Sequence, residues 1–217
     1  MRFSFGRFPV EVYKKYYFKA PPGNNPYAPK MEVDIQEFRL PKDFCNRLKV
    51  ELQKSLDLET LWTDYNIFVI DSPIINELKS VVKKVLPYYE DGPWNKNLWI
   101  NGWVNYTKEG QYIEIHNHSV HENSYLSGTL SLTDRDDVIT NFWIPIMSVS
   151  KEGGPLSFPS LVGRLLIFPS FVPHEVTKVS TGVRITIGFD LITDQAMTYF
   201  RKNSNDPKDP LSRAVKL

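Results

Sequence analysis

Val183-Arg184-Ile185-Thr186-Ile187-Gly188-Phe189-Asp190-Leu191 alternates cleanly along its length. Successive side chains of a strand point to opposite sides. Arg184, Thr186 and Gly188 therefore share one face, while Val183, Ile185, Ile187 and Phe189 share the other. The second face is apolar enough to close a core. The first carries a guanidinium, which can turn inward only if an anion answers it. Upstream, Gly163-Arg164-Leu165-Leu166-Ile167-Phe168-Pro169-Ser170 reads as a strongly apolar strand, and Pro173-His174-Glu175-Val176 follows a proline-rich corner. Short runs separated by turn residues recur from Pro93 onward. Candidate strands cover 98–106, 111–116, 125–133, 139–146, 163–168, 174–179 and 183–191. Such spacing predicts an antiparallel sandwich or barrel.

The N-terminal half has a different texture. Residues 41–56 read as a helix, with Pro41 in its first turn and Phe44, Leu48, Leu52 and Leu56 as an i, i+4 stripe. Residues 73–86 read as a second helix, with Ser72 as a cap and Pro73 at its first position. Both carry core stripes and no chemistry. A third helix is expected near 193–202. The expected organisation is an aromatic and basic arm over residues 1–30, one domain over 31–200 with N-terminal helices, and a loose tail over 201–217. The arm either packs on its own domain or supplies a homodimer contact.

Composition narrows the function classes. The chain has 217 residues, which suits one domain with a sizeable core. Its 26 basic and 25 acidic side chains leave a net charge of +1, so no general electrostatic grip on nucleic acid is evident. No apolar run is long enough to span a bilayer. No signal peptide is expected from the first residues, and the single cysteine, Cys45, cannot form an internal disulfide. The expected location is the cytoplasm.

The histidines stand out. There are four, and three of them, His116, His118 and His121, fall within six residues. His116 and His118 at i and i+2 would share a strand face. His174 stands on a distant candidate strand. Two imidazoles from one strand end and one from another make a facial set of three with open positions, which suits iron or zinc. Arg184 follows His174 by ten residues, enough for a turn and the start of the next strand. A metal beside a buried arginine fork suggests an organic-acid cosubstrate.

These pieces resemble a known family. Trp103-Val104-Asn105, Gly110, Tyr112, His116-Asn117-His118, Leu126-Ser127-Gly128, Gly163 through Ser170, Pro173-His174-Glu175-Val176 and Arg184-Ile185-Thr186 resemble the iron(II)/2-oxoglutarate-dependent oxygenases. The likeness is to the small oxygenases related to prolyl hydroxylases in particular. It implies a double-stranded β-helix, a jelly-roll or cupin-like barrel that is mainly β with flanking helices. It also implies hydroxylation of a substrate C–H bond, a peptidyl prolyl residue being one such substrate and a small molecule another. Dioxygen is the co-reactant, and succinate and carbon dioxide are released. The cofactors implied are Fe(II) and 2-oxoglutarate, with ascorbate in support. By motif position, His116, His118 and His174 are the implied metal ligands. Arg184 binds the far carboxylate of 2-oxoglutarate, with Thr186 assisting. Tyr106 resembles a pocket tyrosine of the prolyl hydroxylases, and Ser131 occupies the place of a cosubstrate-binding tyrosine. The superfamily usually has His-x-Asp or His-x-Glu, and His-x-His here would leave one more positive charge on the metal centre.

A second pattern overlaps the first. Gly110, His116, His118 and Glu122, then Gly163, Pro169 and His174, resemble the two cupin motifs, with Glu122 as an alternative fourth ligand. Phe171 and Lys178 depart from that pattern. A cupin-type metalloenzyme would need neither 2-oxoglutarate nor Arg184, and a metal-free jelly roll would serve binding or structure.

Overall fold

Two facing sheets carry the fold of the computed structural model, which describes residues 10–19, 32–60, 64–88, 97–118, 124–144, 154–203 and 209–217. In chain order the strands are β1 (Val12–Lys19), β2 (Glu32–Arg39), β3 (Leu98–Lys108), β4 (Ile113–His116), β5 (Ser124–Ser131), β6 (Arg135–Phe142), β7 (Leu156–Ser160), β8 (Arg164–Pro169), β9 (His174–Val176), β10 (Val183–Thr193) and β11 (Val215–Lys216). The larger sheet runs β1-β2-β8-β5-β10-β3-β11 and the smaller β4-β9-β6-β7. Every neighbouring pair is antiparallel. This is a double-stranded β-helix, mainly β with helices on one side.

Alternation along the strands sorts the two cores. Outward-facing Leu130, Leu165, Ile167, Ile185, Ile187 and Phe189 of the larger sheet bury against the helices α1 (Lys42–Ser55) and α2 (Pro73–Val85). Phe44, Leu48 and Leu52 of α1 and Ile75, Leu78 and Val82 of α2 meet them, the helical spacing expected of an apolar stripe. Between the sheets, Val33, Ile35, Leu166 and Phe168 pack on Phe142, Phe158 and Ile144. Further along, the interior turns polar, with Ser127, Thr186, Arg184 and Thr140 all buried. That polar section positions the site.

The strand system runs past the expected boundaries at both ends. Residues 12–19 form an edge strand against β2. The tail is not loose where it is described: Leu211 and Ala214 are buried with Trp99 and with α3 (Asp194–Asn203), and Val215 pairs with Ile100. Asn66 ties this segment down. Its Nδ2 donates to Ile100 O at 3.2 Å and to Arg213 O at 2.8 Å, and its Oδ1 accepts from Phe68 N and Gly102 N, both at 3.0 Å. The strand expected at 139–146 runs from Arg135 to Phe142 instead. Strands β1, β2, β7 and β11 were not expected. In β2 the polar residues Gln36 and Glu37 are buried, Glu37 by ion pairs with Arg39 at 2.6 Å and Arg164 at 2.8 Å, which defeats a hydrophobic-pattern reading.

Candidate active site

His116 ends β4, and His174 begins β9; the two residues face each other across the strand pair. The register shifts between Ile113 and His116, a bulge of the kind that re-aims side chains at strand ends. His118 lies two residues beyond β4, so strand alternation does not place it. Its backbone N donates to Ser170 O at 2.9 Å, tying it to the corner between β8 and β9. That corner closes on itself through Val172 N donating to Pro169 O at 3.0 Å. Imidazole nitrogens of the three histidines lie within 4.8 Å of one another.

The hydrogen bonds behind the rings decide which nitrogens face inward. His116 Nδ1 meets Glu114 O at 2.8 Å, His118 Nδ1 meets Asp190 Oδ1 at 2.6 Å, and His174 Nδ1 meets Val172 O at 3.1 Å. Carbonyl and carboxylate oxygens only accept, so each Nδ1 carries a proton, and in the neutral ring each Nε2 is left with its lone pair. His116 Nε2 and His118 Nε2 stand 3.3 Å apart, two acceptors face to face. Convergent lone pairs are satisfied by a cation. The rings are also clamped: Trp103 stacks on His118 with centroids 5.5 Å apart, and Phe142 stacks on His174 at 5.4 Å. Gly188 makes room for Trp103, because a Cβ there would lie 2.8 Å from the indole. Burial, and the histidines beside it, push the His174 imidazole down to about 3, so it is neutral at pH 7. Burial likewise lowers His116. Neutral imidazoles are the form that binds metal.

Arg184 opens onto the same cavity, which has a volume of about 600 Å³. It is 2% exposed, and its Nη2 donates to Thr140 Oγ1 at 3.1 Å and its Nη1 to Thr186 Oγ1 at 3.4 Å. Its Nε is buried, and among the described residues it has no hydrogen-bond partner and no carboxylate pairs with the guanidinium. Burial alone pulls the guanidinium down to about 10. A buried cation in this state has an unmet demand for an anion.

The other expected residues fall in different places. Thr186 is fully buried and touches Arg184 rather than the cavity wall. Ser131 pairs with Thr186, and its Oγ accepts from Ser160 Oγ at 3.2 Å; it does not line the cavity. The pocket placement expected for Tyr106 is corrected. Tyr106 pairs with Ile185, on the apolar face of β10, and packs against the helix-side core. Asn105, one residue earlier and paired with Thr186, lines the cavity in its stead. Glu122 and His121 lie outside the described residues. Asp190 was missed. It follows Arg184 by six residues on the same strand face, and that even spacing was the available signal.

The fold is a double-stranded β-helix of the kind found in solved non-heme alpha ketoglutarate dependent enzymes and a prolyl-4-hydroxylase. The chain is similar to a Pseudomonas putida prolyl-4-hydroxylase, at 15% identity and a TM-score of 0.58 over 74% of this chain and 85% of that one. It is similar to SnoN, a non-heme alpha ketoglutarate dependent epimerase from nogalamycin biosynthesis, at 10% identity and a TM-score of 0.57 over 73% and 77%. HygX from Streptomyces hygroscopicus, solved with iron bound, matches at 13% identity and a TM-score of 0.54 over 74% and 82%. No family model matches the sequence, and no curated protein matches it.

Proposed function

We propose that this chain is an iron(II)- and 2-oxoglutarate-dependent oxygenase that hydroxylates a substrate C–H bond. One observation carries the reading: a buried, unanswered Arg184 shares a single cavity with three imidazoles whose Nε2 lone pairs converge. A metal site alone explains the histidines but not the arginine, which separates this reading from a cupin-type enzyme. HygX, which shares the fold, has been solved with nickel and 2-oxoglutarate bound.

In this reading His116, His118 and His174 hold the metal, and Arg184 holds the far carboxylate of 2-oxoglutarate. When bound, iron(II) and 2-oxoglutarate supply dioxygen activation and substrate oxidation, with succinate and carbon dioxide as coproducts. The chain's own residues contribute position and dryness. Asp190 orients His118, Thr140 and Thr186 orient Arg184, and Trp103, Phe142 and Phe168 exclude water around the rings. Ascorbate would maintain the reduced metal. Among the described residues no helix is long and apolar enough to cross a membrane, and a cytoplasmic location belongs to this reading. A homodimer formed through residues 1–30 does too; residues 1–9 and 20–31 lie outside the described set.

Anaerobic addition of iron(II) and 2-oxoglutarate to the metal-free chain tests the proposal. A weak visible metal-to-ligand charge-transfer band is expected. Its absence at saturating iron and 2-oxoglutarate would sink the reading. Succinate release on admitting air, with a prolyl peptide among the added substrates, then tests the prolyl option.

A further inference from the structure

The cavity has a second end, away from Arg184. Asn101 and Asp190 are direct partners across β3 and β10, so Asn101 sits beside the carboxylate that holds His118. Asn101 is 2% exposed and lines the cavity, and among the described residues its Oδ1 has no hydrogen-bond partner. Burying an unpaired carbonyl is costly, so native structures leave such atoms where a ligand or water completes them. The C-terminal segment, whose Val215 pairs with Ile100 next to Asn101, adds a wall through Asp209 and Leu211. This wall is held in place. Asp209 Oδ1 accepts from Leu211 N at 2.9 Å, and Asn66 grips the backbone at Arg213. Trp103 and Leu211 add apolar wall to the cavity, and the Asp190 carboxylate lines it too.

The geometry points to a substrate subsite at this end of the cavity, which takes an apolar body bearing a hydrogen-bond-donating head, an ammonium or a hydroxyl. Asn101 Oδ1 receives the head, and the Asp209 carboxylate adds preference for a cationic one. Trp103 contacts the body and brings it beside His118, on which it stacks. An anionic head is disfavoured, because the Asp209 and Asp190 carboxylates both line the cavity and Asp190 stands beside Asn101. The assignment rests on the oxygenase reading for its role as a substrate site, but not for its binding chemistry.

Ligand-observed NMR titrations with cyclohexylmethylamine, cyclohexylmethanol and cyclohexanecarboxylate test it. Each probe is titrated against the full chain, metal-free and saturated with zinc(II) and 2-oxoglutarate. The amine and the alcohol are expected to bind, and the carboxylate is not. Asn101→Leu should weaken both by about tenfold, and Asp209→Asn, which keeps an oxygen for Leu211 N, should weaken the amine alone. Asn101→Asp preserves the acceptor and should retain the amine, which separates lost recognition from lost folding. Equal binding of the carboxylate, no binding of amine and alcohol, or an unchanged Asn101→Leu each overturns the subsite. Probe binding that follows this pattern without a charge-transfer band overturns the oxygenase reading alone. The band without probe binding overturns the subsite alone.

Discussion

The Asp190 carboxylate accepts a hydrogen bond from His118 Nδ1 at 2.6 Å, which puts a negative charge one residue behind the ring. The family whose motifs this chain resembles usually has His-x-Asp or His-x-Glu; this chain has instead an imidazole backed by a carboxylate. Asp190 also accepts from Ser127 Oγ at 2.6 Å, so its own position is fixed. Asp190→Ala should lower metal affinity by about 10–100-fold without unfolding the chain. Competition against a chromogenic chelator measures this. Unchanged affinity would mean that Asp190 does not set the His118 tautomer.

In the proposed function, Arg184 is the place where function opposes stability. It is a large, fully buried side chain with no acidic partner among the described residues. Arg184→Met removes the charge and fills most of the volume, so the metal-free protein should gain on the order of 1–4 kcal/mol by denaturant unfolding. The same variant should lose 2-oxoglutarate binding while keeping the metal. A destabilised Arg184→Met would show that Thr140 and Thr186 already satisfy the guanidinium.

Asn66 makes four hydrogen bonds to backbone groups from three separate segments, 66–68, 100–102 and 213. Asn66→Ala would strand all of them. A loss of at least about 2 kcal/mol is expected from the unpaired buried groups alone. Hydrogen exchange should show faster opening of the β11–β3 pairing in this variant. Protection equal to wild type would place the anchoring of the C-terminal segment elsewhere.

Burial pushes the Cys45 thiol up to about 12. The folded protein therefore holds this proton across a range in which the unfolded chain has lost it. The resulting stability is fully present below about pH 8.5, the ordinary thiol value, and drains away as pH rises toward 12. Iodoacetamide at pH 8 should leave Cys45 unmodified in the native protein and alkylate it in denaturant. Rapid native alkylation, read by mass spectrometry, would contradict this burial.

Some of this was legible in the sequence, because it depends on local period. Alternation in 183–191 separates Arg184 from Ile185 without knowledge of any partner strand, and the stripe Phe44, Leu48, Leu52 specifies a buried helix face. The same local rule extends to Asp190, a step the sequence reading did not take, and its link to His118 could not be read there. Other features depend on what the chain meets at a distance. Glu37 and Gln36 look exposed until Arg164, 127 residues after Glu37, pairs with the carboxylate. Tyr106 and Asn105 are neighbours with opposite fates, decided by pairing with Ile185 and Thr186. The spacing of His116 and His118 suggested one strand face, yet it is the Ser170 carbonyl that brings His118 round. Periodicity is a property of the backbone and travels with the sequence. Which buried polar group finds its partner, and which nitrogen of a histidine is left to face the cavity, is settled only when distant strands close on each other.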